Sequence, residues 1–65
     1  MIAYIKKNNT VIIIETRVRN NQVEYRTCTE RKQSGWKKGT QDEKMCIIGR
    51  AQRINGVIEF IGDEK

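Results

Sequence analysis

The chain contains no histidine and no proline, only two cysteines, and no long apolar run. Without histidine, it cannot use a histidine general base or a Cys-His or Ser-His nucleophile pair, and it lacks the commonest metal ligand. The longest apolar run, residues 11–14, is far shorter than the ~20 residues of a membrane-spanning helix. These absences exclude several classes of function without indicating one.

With 65 residues, the chain is long enough for one small domain with a thin core. Thirteen Lys and Arg residues against eight Asp and Glu residues give a net charge of +5. We expect one β domain over residues 1–65, with a basic, glycine-flanked loop at 32–42 and a frayed tail at 63–65. The positive charge favours an anionic partner.

Cys28 and Cys46 are the only thiols, and no export signal is recognisable at the N-terminus. We therefore expect reduced cysteines and a cytoplasmic protein of a bacterium or a virus-infected cell. If residues 44–50 form a strand beside residues 22–31, the two thiols lie opposite each other as small buried hydrophobes. Two thiols cannot complete a four-ligand zinc site within one chain, so neither a metal nor a cofactor is expected.

Asparagine-rich pairs at 8–9, 20–21 and 55–56 separate runs of alternating or β-branched residues. Asparagine tolerates the positive φ that two-residue type I′ hairpin loops require. These loops predict strands at roughly 2–7, 10–19 and 22–31, with a fixed register. The expected facing pairs are Ala3–Ile14, Ile5–Ile12, Glu15–Arg26, Thr16–Tyr25, Arg17–Glu24, Val18–Val23 and Arg19–Gln22.

A third hairpin around 55–56 would pair Ala51 with Phe60 and Arg53 with Ile58, with a bulge or bend at Gly49. The fold class predicted from these strands is all-β, a five-stranded antiparallel meander curled into an SH3-like or OB-like barrel. The alternative is an α+β fold with a short helix at 41–48, because residues 40–43 fit a capping box.

The segment 31–39 has four positive charges, no negative charge and the only tryptophan, Trp36, between two glycines. As the tip of a connecting loop, Trp36 would stack on a base while neighbouring lysines neutralise phosphates. Alternatively, Trp36 folds back and caps an open end of the barrel, with the lysines merely solvated.

Further cations lie on the predicted sheet. Arg17, Arg19 and Arg26 project outward, but acidic partners balance much of their charge. Arg50 and Arg53 fall on the run before the third turn and would extend a backbone-tracking groove. The candidate site residues for nucleic acid or another partner are Arg31, Lys32, Trp36, Lys37, Lys38, Arg50 and Arg53.

We therefore expect a small, non-enzymatic nucleic-acid-binding module that contacts mainly the phosphate backbone, with aromatic stacking that favours single strands. The carboxylates form no catalytic motif, and no phosphate-binding loop is present. The alternative is a stand-alone interaction module, such as a phage or mobile-element inhibitor that docks on an acidic protein surface. Association of copies through strand edges is a third possibility.

Overall fold

The computed structural model describes residues 1–40 and 42–60, with the backbone alone at Phe60; the predicted tail at 63–65 lies outside these residues. The described chain is mostly β, with five strands and one helix. In chain order these are β1 (Ile2–Lys7), β2 (Thr10–Arg19), β3 (Gln22–Cys28), β4 (Lys37–Lys38), α1 (Glu43–Ile54) and β5 (Val57–Phe60).

The five strands form one antiparallel sheet in the order β4-β3-β2-β1-β5. The predicted registers of the first two hairpins are confirmed throughout. Ala3 faces Ile14 on the neighbouring strand, and Thr16 faces Tyr25. A slip of one residue would turn every apolar side chain to the opposite face, so burial of one face fixes this register.

The two hairpin loops differ in backbone conformation. Asn20 and Asn21 have φ values of 53° and 62°, the positive pair that a type I′ turn requires. In the 8–9 loop only Asn8 has positive φ, at 56°. The prediction of a type I′ turn is therefore correct for the second loop and wrong for the first.

Residues 44–50 are helical, so the predicted fourth strand and the bulge at Gly49 are wrong. The alternative prediction of a helix at 41–48 has the correct secondary structure but not the correct bounds, because α1 begins at Glu43 and continues to Ile54. Asp42 is the N-cap residue, and its carboxylate accepts a 2.8 Å hydrogen bond from the Met45 amide. This bond satisfies one of the free N–H groups in the first helical turn.

The predicted third hairpin is wrong because Asn55 ends α1 instead of turning a strand. Asn55 adopts the left-handed conformation at φ 57°, and its amide donates to the Gln52 carbonyl. The following Gly56 amide donates to the Ala51 carbonyl at 2.9 Å, which completes a Schellman motif. The strand after this turn, β5, pairs with β1.

The core lies between α1 and one face of the sheet, which we call the helix face. Ala3, Ile5, Ile14, Ile47 and Ala51 are buried there and form one cluster. The spacing of the helical members, four residues apart, places them on the same side of α1.

The opposite face of the sheet, which we call the outer face, carries alternate residues of the strands, including Arg17, Glu24 and Arg26. The sheet does not close into a barrel over the described residues, because β4 and β5 lie at opposite edges. Those two edge strands run in the same direction, and α1 supplies the crossover between them. The expected barrel is therefore an open sheet covered on one face by a helix.

Candidate functional site

A groove of about 280 Å³ lies on the helix face, between α1 and the edge of the sheet at β4. It is lined by Tyr25, Lys38, Gly39, Thr40, Cys46, Gly49, Arg50 and Arg53. Three of the candidate cations predicted from the sequence, Lys38, Arg50 and Arg53, are thus among the residues that line one groove. Lys38 belongs to β4, whereas the two arginines belong to α1 and not to the predicted strand. Among residues 1–40 and 42–60, no carboxylate lines the groove.

Local backbone structure explains why these cations meet. Arg50 and Arg53 are three residues apart on α1, so they project from the same side of the helix. Lys38 is held at the sheet edge because β4 pairs with β3, and the next residue, Gly39, donates its amide to the Val23 carbonyl at 2.7 Å.

Gly39 permits the close approach of β3 and α1 beside the groove. A Cβ atom at this position would lie 3.0 Å from Val23 Cγ1 and 3.1 Å from Cys46 Sγ. A larger residue here would push the edge strand away from the helix and change the width of the groove.

The groove is positively charged because its cations form no ion pair with an acidic side chain in the described part of the chain. Within residues 1–40 and 42–60, the ion pairs engage the N-terminal amine, Lys6, Arg17 and Arg26. Lys38, Arg50 and Arg53 take part in none of them. Unpaired cations in a concave surface attract anions more strongly than the charge-balanced surface around them.

Trp36 does not lie at a loop tip, nor does it cap a barrel end. It lies half-buried on the outer face, with its ring centroid 3.9 Å from the Arg17 guanidinium carbon and 4.7 Å from that of Arg26. Both distances are within the range of cation–π contacts. We call these three side chains the Arg-Trp-Arg cluster.

Ion pairs across the sheet orient the two arginines of this cluster. The Arg17 Nε donates to Glu24 at 2.8 Å, and the Arg26 Nε donates to Glu15 at 2.9 Å. The sequence predicted both pairs from the register of the hairpin. It did not show that Trp36 stacks on them, because that contact depends on the path of residues 33–36.

Residues 33–39 run back along β3, so the turn that reverses the chain is at 29–32. Arg31 and Lys32 lie in this turn and are exposed, and Arg31 also lines a separate hollow of about 400 Å³ beside Thr10. Lys37 is exposed at the edge strand. The predicted site residues are therefore distributed over the groove, the outer face and the 29–32 turn.

The two cysteines do not face each other, which corrects the sequence expectation. Cys28 is half-buried on β3 and follows the outer-face alternation, whereas Cys46 is buried under α1 on the other side of the sheet. Both are free thiols. The residues that the structure describes contain no group of three or more His, Cys, Asp or Glu side chains able to hold a metal ion.

Comparison of the chain with models of protein families, with curated proteins and with solved structures gave no match. In the described part of the chain, α1 falls well short of the length and apolar character of a membrane-spanning helix.

Proposed function

We propose that this protein is a small, non-enzymatic nucleic-acid-binding module whose helix-face groove contacts the phosphate backbone. The observation that carries the proposal is the convergence of Lys38, Arg50 and Arg53 in one groove, with no acidic residue among the described residues that line it. Arginine guanidinium groups suit phosphate oxygens because their planar donors match that geometry.

Other groups in the groove favour a backbone contact over reading of bases. The Tyr25 and Thr40 side chains offer hydroxyl groups beside the cations, and such groups commonly donate to phosphate oxygens. Gly49 adds no side chain to the wall, so a sugar-phosphate backbone can approach the helix closely. Contacts of this kind position a nucleic acid without specifying its sequence.

The first prediction concerns the double variant R50A/R53A. Each phosphate contact contributes ~0.7–0.9 to the slope of log affinity against log salt. Losing two contacts should weaken binding to all sequences alike and reduce that slope by about 1.4–1.8. The measurement is fluorescence anisotropy of labelled oligonucleotides of several sequences, titrated between ~50 and ~200 mM salt.

The matched control is K6A/K44A, which removes the same charge outside the groove. Lys6 lies on the outer face and pairs with Glu59 at 2.7 Å, an exposed contact whose hydrogen bond and charge lower the Glu59 pKa. Lys44 points about 180° away from Arg53 around the helix axis. The control should retain most of the affinity, and equal loss in both variants would contradict the assignment of the groove.

Failure of all oligonucleotides to bind would reject the nucleic-acid function and favour the alternative, a module that docks on an acidic protein surface. The same groove would then accept carboxylates in place of phosphates. Direct binding of labelled poly-glutamate distinguishes the two cases: the proposal predicts that poly-glutamate binds more weakly than an oligonucleotide at equal charge concentration, and the alternative predicts the reverse.

A further inference from the structure

The Arg-Trp-Arg cluster is a second candidate contact surface, on the face of the sheet opposite the groove, and Glu24 and Glu15 balance the charge of its two arginines. A guanidinium has five N–H donors, so the ion pairs of Arg17 and Arg26 with single carboxylates leave donors available to a ligand. Contact with the Trp36 ring holds the Arg17 guanidinium in place before a ligand arrives. Such a cluster combines a stacking surface with charge, as single-strand-binding surfaces do.

The groove and the outer face are joined by three consecutive residues at one edge of the sheet. By register, Trp36 and Lys38 lie on the outer face, where Lys38 is opposite Glu24, whereas Lys37 is opposite Tyr25 of the helix face; Lys38 is also among the residues that line the groove. The path between the two surfaces therefore turns around β4 and has a lysine on each face of that strand. The segment 31–39 itself contains no Asp or Glu.

Because the path turns around the edge of the sheet, it can accommodate a single strand but not a duplex. A duplex has a persistence length of about 150 base pairs, so it cannot turn around the edge of a single sheet. A single strand is flexible enough to follow such a turn, and its unpaired bases are free to stack. A duplex can reach either surface separately but not both at once.

We propose that the ligand is a single strand that passes around β4, with its backbone in the groove and a base against the Arg-Trp-Arg cluster. This inference rests on the proposed function of the groove. It assigns binding roles to Arg17 and Arg26, whose charges the sequence alone indicated to be balanced by acidic neighbours.

The experiment compares R17Q with R19Q, using a single strand of about 12 nucleotides, within the ~4–16 nucleotides that small β folds cover, and the duplex of the same sequence. Arg17 and Arg19 are both on β2 and project from the same face, but only Arg17 contacts Trp36. Each variant loses one positive charge. In R17Q, Glu24 retains Lys38 as its neighbour on β4, so the variant should fold.

We expect R17Q to weaken single-strand binding about tenfold, the lower part of the range for loss of one stacked base. R17Q should leave the affinity for the duplex within about twofold of wild type. R19Q should lower the affinities for the single strand and the duplex only slightly, because it removes one charge distant from the proposed path. Binding of the single strand to wild type should also quench Trp36 fluorescence, whereas the duplex should not. Circular dichroism and thermal unfolding check that both variants fold.

The inference would be overturned if R17Q and R19Q bound the single strand with equal affinity. It would also be overturned if R17Q lost as much affinity for the duplex as for the single strand. Its failure is distinguishable from failure of the proposed function. If R50A/R53A weakens both ligands while R17Q behaves like R19Q, the groove binds nucleic acid and only the path around β4 is wrong. If R50A/R53A changes neither ligand, the function itself is rejected.

Discussion

At the scale of single residues, two glycines occupy opposite steric environments. A Cβ atom on Gly49, inside α1, would meet no atom within 4 Å. A Cβ atom on Gly56, the last residue of the Schellman motif, would overlap Cγ2 of the buried Ile5. Gly56 is therefore required by packing, whereas Gly49 costs the helix conformational entropy without a steric reason in the described structure.

These environments predict opposite effects of alanine. G49A should raise the free energy of unfolding by about 0.5–1 kcal/mol, because alanine favours the helix interior. G56A should lower it by about 1–3 kcal/mol, because the core must shift to admit the methyl group. Urea unfolding of both variants measures the difference. A stable G56A, or a clear loss of stability in G49A, would contradict the packing described here.

The sequence predicts the cations of the candidate site but not their arrangement. Lys38 is a candidate from the sequence because the basic segment around it contains no acidic residue, and Arg50 and Arg53 are candidates because they would extend a basic track along a predicted strand. The sequence does not predict the convergence of the three, because Arg50 and Arg53 are expected on a strand and lie on a helix. A spacing of three residues brings two side chains together on a helix but turns them to opposite faces of a strand.

At the scale of elements, the start of α1 depends on one side chain. The sequence predicted a capping box at residues 40–43, but the cap is Asp42. Glu43 instead accepts a 2.9 Å hydrogen bond from the hydroxyl of the buried Thr16 and lies 3.4 Å from the N-terminal amine. The first helical turn is thereby tied to both β2 and the chain start.

We expect D42A to lower the free energy of unfolding by ~1 kcal/mol, the usual cost of losing an N-cap. For a domain of this size that corresponds to a decrease of about 4–8 °C in Tm. D42N is the matched control, since an asparagine oxygen accepts the same bond from the Met45 amide. Thermal unfolding followed by circular dichroism measures both variants, and an equal decrease in D42N would argue against the capping role.

The sequence contains a helical pattern of apolar residues within α1. Ile47, Ala51 and Ile54 recur at intervals of four and three residues, which is the spacing of a helix and not of a strand. The Asn-Gly pair at 55–56 obscured it, because the positive φ of asparagine serves a helix end as readily as a hairpin. The local sequence alone does not decide between these two uses.

At the scale of the whole molecule, the sheet separates the two thiols. Cys28 and Cys46 belong to opposite sides of it, so no intramolecular disulfide can form without unfolding. The native protein should therefore react with an alkylating reagent first at Cys28. Cys46 is only 8% exposed, at the wall of the groove, and should react much more slowly.

Mass spectrometry of the time course, with digestion to assign each site, tests this prediction. The variant C28S should lack the fast reaction and keep the slow one, and urea should make both cysteines of the wild type react at similar rates. Rapid modification of Cys46 in the native protein would contradict the position of α1 over the helix face.

Local signals in the sequence, the alternation of apolar residues and two asparagine loops, were sufficient to predict the first two hairpins and their registers, although β3 ends at Cys28 and not at residue 31. The sequence also determined the net positive charge and the identity of the cations. The position of α1 across one face, the open sheet, and the contact of Trp36 with Arg17 and Arg26 are visible only in the folded structure. These features arise from contacts between segments far apart in the chain, which local periodicity cannot encode.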